Sequence, residues 1–189
     1  MISAIAYIAS GIVICLGIGF VGDHFWSFRA QRPADYASET PVFDLRRALS
    51  GSYLAHGVIF DYSGRVNTRF SAQITGTFNE TGGVLDERFS YDGMADEDTR
   101  KWQIRFDGPD RFTATAADVI GLAEGVVSGN ALRMTYRLQL PERAGGHVLD
   151  VVDWIYLMED GTLVNRSDMR KFSIKAAELF AVFHRPHGG

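Results

Sequence analysis

Two oppositely charged residues, Glu87 and Arg100, occupy positions where the sequence pattern predicts apolar side chains. Glu87 alternates with Leu85 and Phe89, and Arg100 shares its parity with Trp102 on the next predicted strand. If both side chains point into a dry interior they should pair, because an isolated buried charge is strongly destabilising. Such a pair either fixes the register of two strands, which is the simpler interpretation, or forms a carboxylate–guanidinium site for a polar head group.

A second group of polar residues lies later in the chain. Asn130 follows a glycine, which favours a turn, and Asp118 ends a predicted strand, where it can cap backbone amides. Asn165 and Arg166 point to opposite faces of one strand, so only one of them can face an interior. Asp153 and Trp154 likewise point to opposite faces of their strand. For all of these residues a structural role is the simpler interpretation.

Aromatic residues supply the other candidate contacts. Trp154 and Tyr156 share one face of a strand and either stack on a ligand or fill a core. A larger set has the parity of the predicted inner face, where it either lines an apolar cavity or fills it, as aromatic stripes more often do: Phe70, Phe78, Phe89, Tyr91, Trp102, Phe106, Phe112 and Tyr136. The candidate ligand-binding residues are therefore Glu87, Tyr91, Arg100, Trp102, Asn130, Tyr136, Trp154, Tyr156 and Asn165.

Motifs of known catalytic chemistry give no support for an enzyme. The five histidines show no metal-ligand spacing, and the chain has neither a G-x-S-x-G elbow nor a phosphate-binding G-K-S or G-K-T. No catalytic residue, metal site or cofactor is predicted. An enzyme nevertheless stays open, because a serine–histidine–aspartate triad needs only proximity in space.

Composition excludes further classes. The chain has 189 residues and a net charge of −4, with acidic and basic residues well mixed, so nucleic acid is not an expected partner. Its one cysteine, Cys15, can form no disulfide within the chain and argues against a Cys-rich metal site.

The N-terminus predicts a membrane anchor over residues 1–26. Residues 1–22 carry no charged side chain, and about 20 apolar residues in a helix cross a bilayer. A cleaved signal peptide is the alternative; it is disfavoured because no Lys or Arg precedes the apolar run and no small-x-small site follows it. Arg29 and Arg32 would by themselves favour a cytoplasmic body.

The rest of the chain predicts one all-β domain over residues 42–185, after a linker at 27–41 that is polar and rich in proline. Residues 42–49 can form one or two helical turns. Alternation of apolar and polar residues with turn signals between them indicates about ten strands, the last of which could also be a helix. Successive hairpins without long crossovers predict an antiparallel up-and-down barrel of about 8–10 strands.

A series of short motifs carries a family resemblance over residues 40–185. In order they are Gly76-Thr77-Phe78, residues 85–93, Arg100-Lys101-Trp102, residues 117–121, Gly129-Asn130-Ala131, Asp153-Trp154-Ile155-Tyr156, residues 163–166, residues 169–172 and Glu178-Leu179-Phe180. The series resembles a bacterial family of envelope proteins, domain of unknown function 3833. The resemblance implies a lipocalin-like barrel in the cell envelope, often a lipoprotein, although Ile14 before Cys15 departs from the lipid-attachment pattern. It also implies an association with fatty-acid modification.

Three functional hypotheses follow. The leading one is a lipocalin-like protein, tethered to the cell membrane with a periplasmic body, that binds a lipid or another apolar small molecule. The second is a small lipid-modifying enzyme, an isomerase or hydrolase, that uses Glu87; it predicts that Glu87 lines an open pocket, has a raised pKa and is left unpaired by Arg100. The third is an envelope scaffold or assembly factor, which predicts a contiguous apolar patch on the outer face.

Overall fold

The computed structural model describes residues 7–8, 10–11 and 27–186. The chain divides into two compact units, Met1–Arg32 and Pro33–Gly189. In the first unit, a 3-10 helix spans Phe28–Ala30 and begins where the Ser27 side chain accepts a hydrogen bond from the Arg29 amide at 3.2 Å. The predicted anchor over 1–26 lies almost wholly outside the described residues. Within the part of the chain that is described, no helix has the length and apolar character needed to span a bilayer.

The second unit is a closed antiparallel barrel of ten strands. The strands are β1 (Gly51–Asp61), β2 (Val66–Phe78), β3 (Gly82–Tyr91), β4 (Asp98–Phe106), β5 (Arg111–Thr115), β6 (Ala123–Ser128), β7 (Ala131–Gln139), β8 (Val148–Leu157), β9 (Leu163–Lys171) and β10 (Ile174–His184). Each strand pairs with its neighbours in sequence, and β10 pairs with β1 to close the cylinder. The prediction of an all-β, up-and-down barrel is confirmed.

The last strand resolves the one ambiguous segment of the sequence. Apolar residues in 172–183 fit a helix and a strand equally well, but the chain forms β10. Its register against β1 runs from Leu54 opposite His184 to Asp61 opposite Ala177. Closure explains the outcome, because without β10 both β1 and β9 would present unpaired edges.

A short helix, α1 (Leu45–Leu49), closes one end of the barrel. Asp44 caps it by accepting hydrogen bonds from the Arg46 and Arg47 amides at 2.9 and 3.2 Å. Leu45, Ala48 and Leu49 are buried. The Tyr53 hydroxyl donates to the Ala48 carbonyl, and a Cβ on Gly76 would lie 1.8 Å from the Leu49 carbonyl oxygen. The close packing of α1 against β2 at this end therefore requires a glycine at position 76.

Part of the predicted linker packs on the outer wall. A 3-10 helix over Pro33–Tyr36 places the Tyr36 ring 5.2 Å from the Trp154 ring and 5.6 Å from the Tyr156 ring. The chain runs so close to the β6–β7 hairpin that a Cβ on Gly129 would lie 1.7 Å from the Tyr36 carbonyl oxygen. Residues 33–41 thus do not behave as a free linker, because Trp154 offers them an apolar surface to cover.

Candidate ligand cavity

The barrel encloses a cavity of about 1410 Å³. Six of the eight aromatic residues predicted for the inner face line this space without filling it: Phe70, Phe89, Tyr91, Trp102, Phe112 and Tyr136. Room remains because several inward positions carry only a methyl group, namely Ala55, Ala72, Ala114 and Ala181. The lining reaches Met94, Pro141 and Arg143 in the loops at the end opposite α1, so the cavity opens there.

Exposed apolar side chains surround the open end. The β9–β10 turn presents Phe172, which is 85% exposed and adopts a φ of 50°, a left-handed conformation unusual for a bulky residue. Other exposed apolar residues lie at the same end of the barrel, in or beside the β1–β2, β3–β4, β5–β6 and β9–β10 loops: Tyr62, Val66, Met94, Ile120, Leu122 and Ile174. We call these seven residues the apolar rim.

An ion pair crosses the polar part of the cavity wall. Glu87 and Arg100 lie directly opposite each other on β3 and β4, as their parity predicts. Arg100 nevertheless donates from Nε and Nη2 to Oδ2 of Asp118, at 2.9 and 2.6 Å. The prediction that Arg100 pairs with Glu87 is therefore wrong, because the hydrogen-bonded partner of Arg100 is Asp118. Asp118 reaches Arg100 because the β5–β6 loop is held against β7, where the Gln139 amide donates to the Asp118 carbonyl at 2.8 Å.

Glu87 is left with an unpaired oxygen. The buried Oε2 atom has no hydrogen-bond partner among the described residues. Burial raises the pKa of Glu87 to about 7; Arg100 opposes this shift, while Asp153 and Asp118 add to it. Near neutral pH this carboxyl therefore exchanges between the protonated and ionised forms.

A buried hydrogen-bond network surrounds Asp153 on β8. Its Oδ1 accepts from Asn165 Nδ2 at 3.0 Å and from the Ser167 hydroxyl. Its Oδ2 accepts from the Tyr136 hydroxyl at 3.0 Å. Burial raises the pKa of Asp153, and this effect outweighs the three hydrogen bonds, which lower the pKa. Burial and the neighbouring Asp153 also raise the pKa of the Tyr136 hydroxyl, so this phenol remains a donor.

Most of the candidate residues of the sequence meet on the cavity wall. Glu87, Tyr91, Arg100, Trp102, Tyr136 and Asn165 all line it. Trp102 and Tyr136 pack edge to face, with their ring centroids 5.3 Å apart. Burial, the largest cause, raises the pKa of Tyr91.

Three candidates lie off the cavity. Trp154 and Tyr156 point outward from β8, where Tyr36 covers them. Asn130 lies in the β6–β7 turn, and its backbone carbonyl accepts from the Leu157 amide at 2.8 Å. These placements correct the expectation that the three residues contact a ligand inside the barrel.

Asp118, Asp153 and Ser167 belong to the polar wall but were not among the candidates. Asp153 shares its parity with Leu149 and Ile155, which also line the cavity, a signal that was present in the sequence. The signal was obscured because β8 is apolar on both faces. Among the described residues no group of His, Cys, Asp and Glu side chains has the arrangement of a metal site.

Comparison with protein families identifies the chain's relatives. The model of the family described as "Protein of unknown function (DUF3833)" matches residues 24–185. The chain belongs to the DUF3833 family. No curated protein matches this DUF3833 chain in sequence.

Solved structures share the fold. The chain is similar to an S-type phycobiliprotein lyase, CPES from Guillardia theta, with a TM-score of 0.56 and 8% identity over 84% of this chain and 99% of that one. It is also similar to Rv2717c from M. tuberculosis, with a TM-score of 0.50 and 15% identity over 79% of this chain and 100% of that one. At these identities the likeness concerns the fold alone.

Proposed function

We propose that this DUF3833 protein binds a lipid or another apolar small molecule inside its barrel and holds it beside the cell membrane. The observation that carries the proposal is the cavity of about 1410 Å³, lined mainly by apolar side chains. Pockets that hold drug-sized ligands measure about 300–1,000 Å³, so the barrel has room for a larger molecule. The fold shared with a phycobiliprotein lyase is consistent with a small-molecule site.

Burial of the guest would provide the binding energy. Each methylene group removed from water contributes about 0.8 kcal/mol. The Glu87, Arg100 and Asn165 side chains, which all line the cavity, would orient a polar end group.

Membrane attachment is the second part of the proposal. It is supported by the uncharged stretch of residues 1–22 and by the apolar rim around the open end. Apolar side chains on separate loop tips suit a fluid bilayer, which accepts them without a matching shape. A guest leaving the cavity at this end would then pass into lipid. The association with fatty-acid modification that the family resemblance implies would fit a guest of this kind.

Native mass spectrometry of the full-length chain tests the binding proposal. The wild type should carry an apolar ligand that organic extraction releases. Ala72→Trp, which places a large ring in the lumen, should reduce ligand occupancy severalfold because it occupies the guest's volume. Thr77→Trp is the matched control, since residue 77 lies on the same strand, is exposed and does not line the cavity. Circular dichroism checks that both variants keep the barrel. Equal ligand occupancy in the two variants would contradict binding in the lumen.

Glu87 supports a second candidate, a lipid-modifying enzyme in which this residue acts as general acid or base. The residue lines the cavity, has an unpaired oxygen and titrates near neutral pH, and such a pKa suits proton transfer at physiological pH. The test compares membrane lipids of cells carrying the wild type, a gene deletion and Glu87→Gln. Catalysis requires Glu87→Gln to reproduce the deletion's lipid profile. A profile that changes on deletion but not in Glu87→Gln would reject this candidate.

A further inference from the structure

We infer that the cavity selects guests whose polar end donates hydrogen bonds and carries no negative charge, such as an alcohol or an amine, and discriminates against free carboxylates and phosphates. This inference rests on the proposed binding function and names the chemical class of the guest. Three observations carry it: the balance of charge on the inner wall, the engagement of its cation, and the hydrogen-bonding atoms that remain without a partner.

The inner wall carries more acidic than basic groups. Arg100 interacts with three carboxyl groups, those of Glu87, Asp118 and Asp153. Arg143, at the rim, is paired with Asp98. An anionic head group entering this environment would add a further negative charge where water cannot screen it well.

Arg100 is already held in place. Its Nε and Nη2 atoms both donate to Asp118. Its guanidinium carbon lies 6.0 Å from the Phe89 ring centroid and 5.7 Å from that of Trp102. Asp118 therefore already balances the charge of Arg100, and a carboxylate or phosphate beside it would be a second anion on the same cation.

The buried polar atoms of the wall that lack a partner are hydrogen-bond acceptors. Three neutral donors are engaged: Tyr136, Asn165 and Ser167 all donate to Asp153. In contrast, the buried atoms Glu87 Oε2 and Asp118 Oδ1 lack a partner among the described residues. A hydroxyl or ammonium group would supply the missing donors, and hydrogen bonds to charged groups are stronger than those between neutral groups.

Three guests with one chain length separate head-group selection from binding itself. Hexadecanol, hexadecylamine and hexadecanoate are added to the full-length chain near pH 8, where the last is ionised, and the affinities are measured by native mass spectrometry and calorimetry. The alcohol and the amine should bind at least about tenfold more tightly than the carboxylate. Hexadecanoate binding as tightly as the other two would overturn the head-group inference and leave the binding function standing. Binding of none of the three would count against both.

Substitution at Glu87 assigns the selectivity to the wall. Glu87→Gln should reduce the ratio of amine to carboxylate affinity by about tenfold, because it removes one negative charge from beside the guest. Glu124→Gln is the matched control: it is the same substitution at an exposed residue of β6 that does not line the cavity. That variant should keep the wild-type ratio. An unchanged ratio in Glu87→Gln, or an equal loss in Glu124→Gln, would overturn the assignment to Glu87.

Discussion

The ionisation of Glu87 should make the barrel less stable as the pH rises. The unfolded chain releases this proton near the ordinary pKa of 4.5, whereas the folded chain holds it until about 7. Below the lower value both states are protonated, and Glu87 causes no pH dependence. Between the two values the unfolded state binds fewer protons than the folded state, so the free energy of unfolding falls with increasing pH. Above the higher value the loss is complete.

The size of the effect follows from the same two pKa values. One pKa unit corresponds to about 1.4 kcal/mol, so the rise from 4.5 to about 7 amounts to a loss of about 3 kcal/mol. Glu87→Gln cannot ionise and escapes this loss. Relative to wild type, the variant should therefore gain about 3 kcal/mol in free energy of unfolding between about pH 4.5 and about pH 8. The raised pKa of Asp153 acts in the same direction but is common to both proteins.

Urea unfolding of the ligand-free, full-length chain at the two pH values measures the difference. Circular dichroism follows the barrel, and Asp86→Asn serves as the control, because its carboxylate lies on the outer wall, where exposed pairs contribute about 0–1 kcal/mol. If wild type and Glu87→Gln lose stability in parallel as the pH rises, the Glu87 carboxyl is solvated. The argument for an unpaired acceptor inside the cavity would then fail.

Three further perturbations probe the closed end, the polar wall and the rim. Gly76→Ala should cost about 1–3 kcal/mol in urea unfolding, because the new methyl group meets the Leu49 carbonyl oxygen at 1.8 Å; a neutral result would mean that α1 does not seal this end. Asp153→Ala should cost about 2–4 kcal/mol, since it strands three donors, and Asp153→Asn should cost less because the amide retains an acceptor; equal losses would contradict the network. In vesicles containing brominated lipids, a tryptophan introduced by Phe172→Trp should be quenched, while one introduced by Met158→Trp at the opposite end should not; equal quenching would exclude contact of the rim with lipid.

The strand pattern could be predicted because most strands have one wet and one dry face. In β2, the buried Phe70, Ala72 and Ile74 alternate with more exposed polar residues, and such a period of two identifies a strand and the direction of each side chain. The same parity placed Glu87 opposite Arg100 across β3 and β4, as observed. Local pattern therefore gives the inward residues of the amphipathic strands.

The partners of those residues could not be predicted in the same way. Arg100 bonds Asp118, a residue 18 positions away in a loop, and the conformation of a loop has no periodic signal. β8 is apolar on both faces because Tyr36 covers its outer side, so the pattern did not show that Trp154 points outward and Asp153 inward. Whether the lumen is open or filled depends on the sum of many side-chain volumes, such as those of Ala72 and Ala181 beside the aromatic rings.

Closure of one end of the barrel by α1 has a consequence for the exchange of guests under the proposed binding function. A guest would enter and leave through the open end alone, so a second molecule could not displace the first from behind. A new guest would enter only after the occupant had left. The dissociation rate of the occupant, rather than the concentration of free ligand, would then limit turnover.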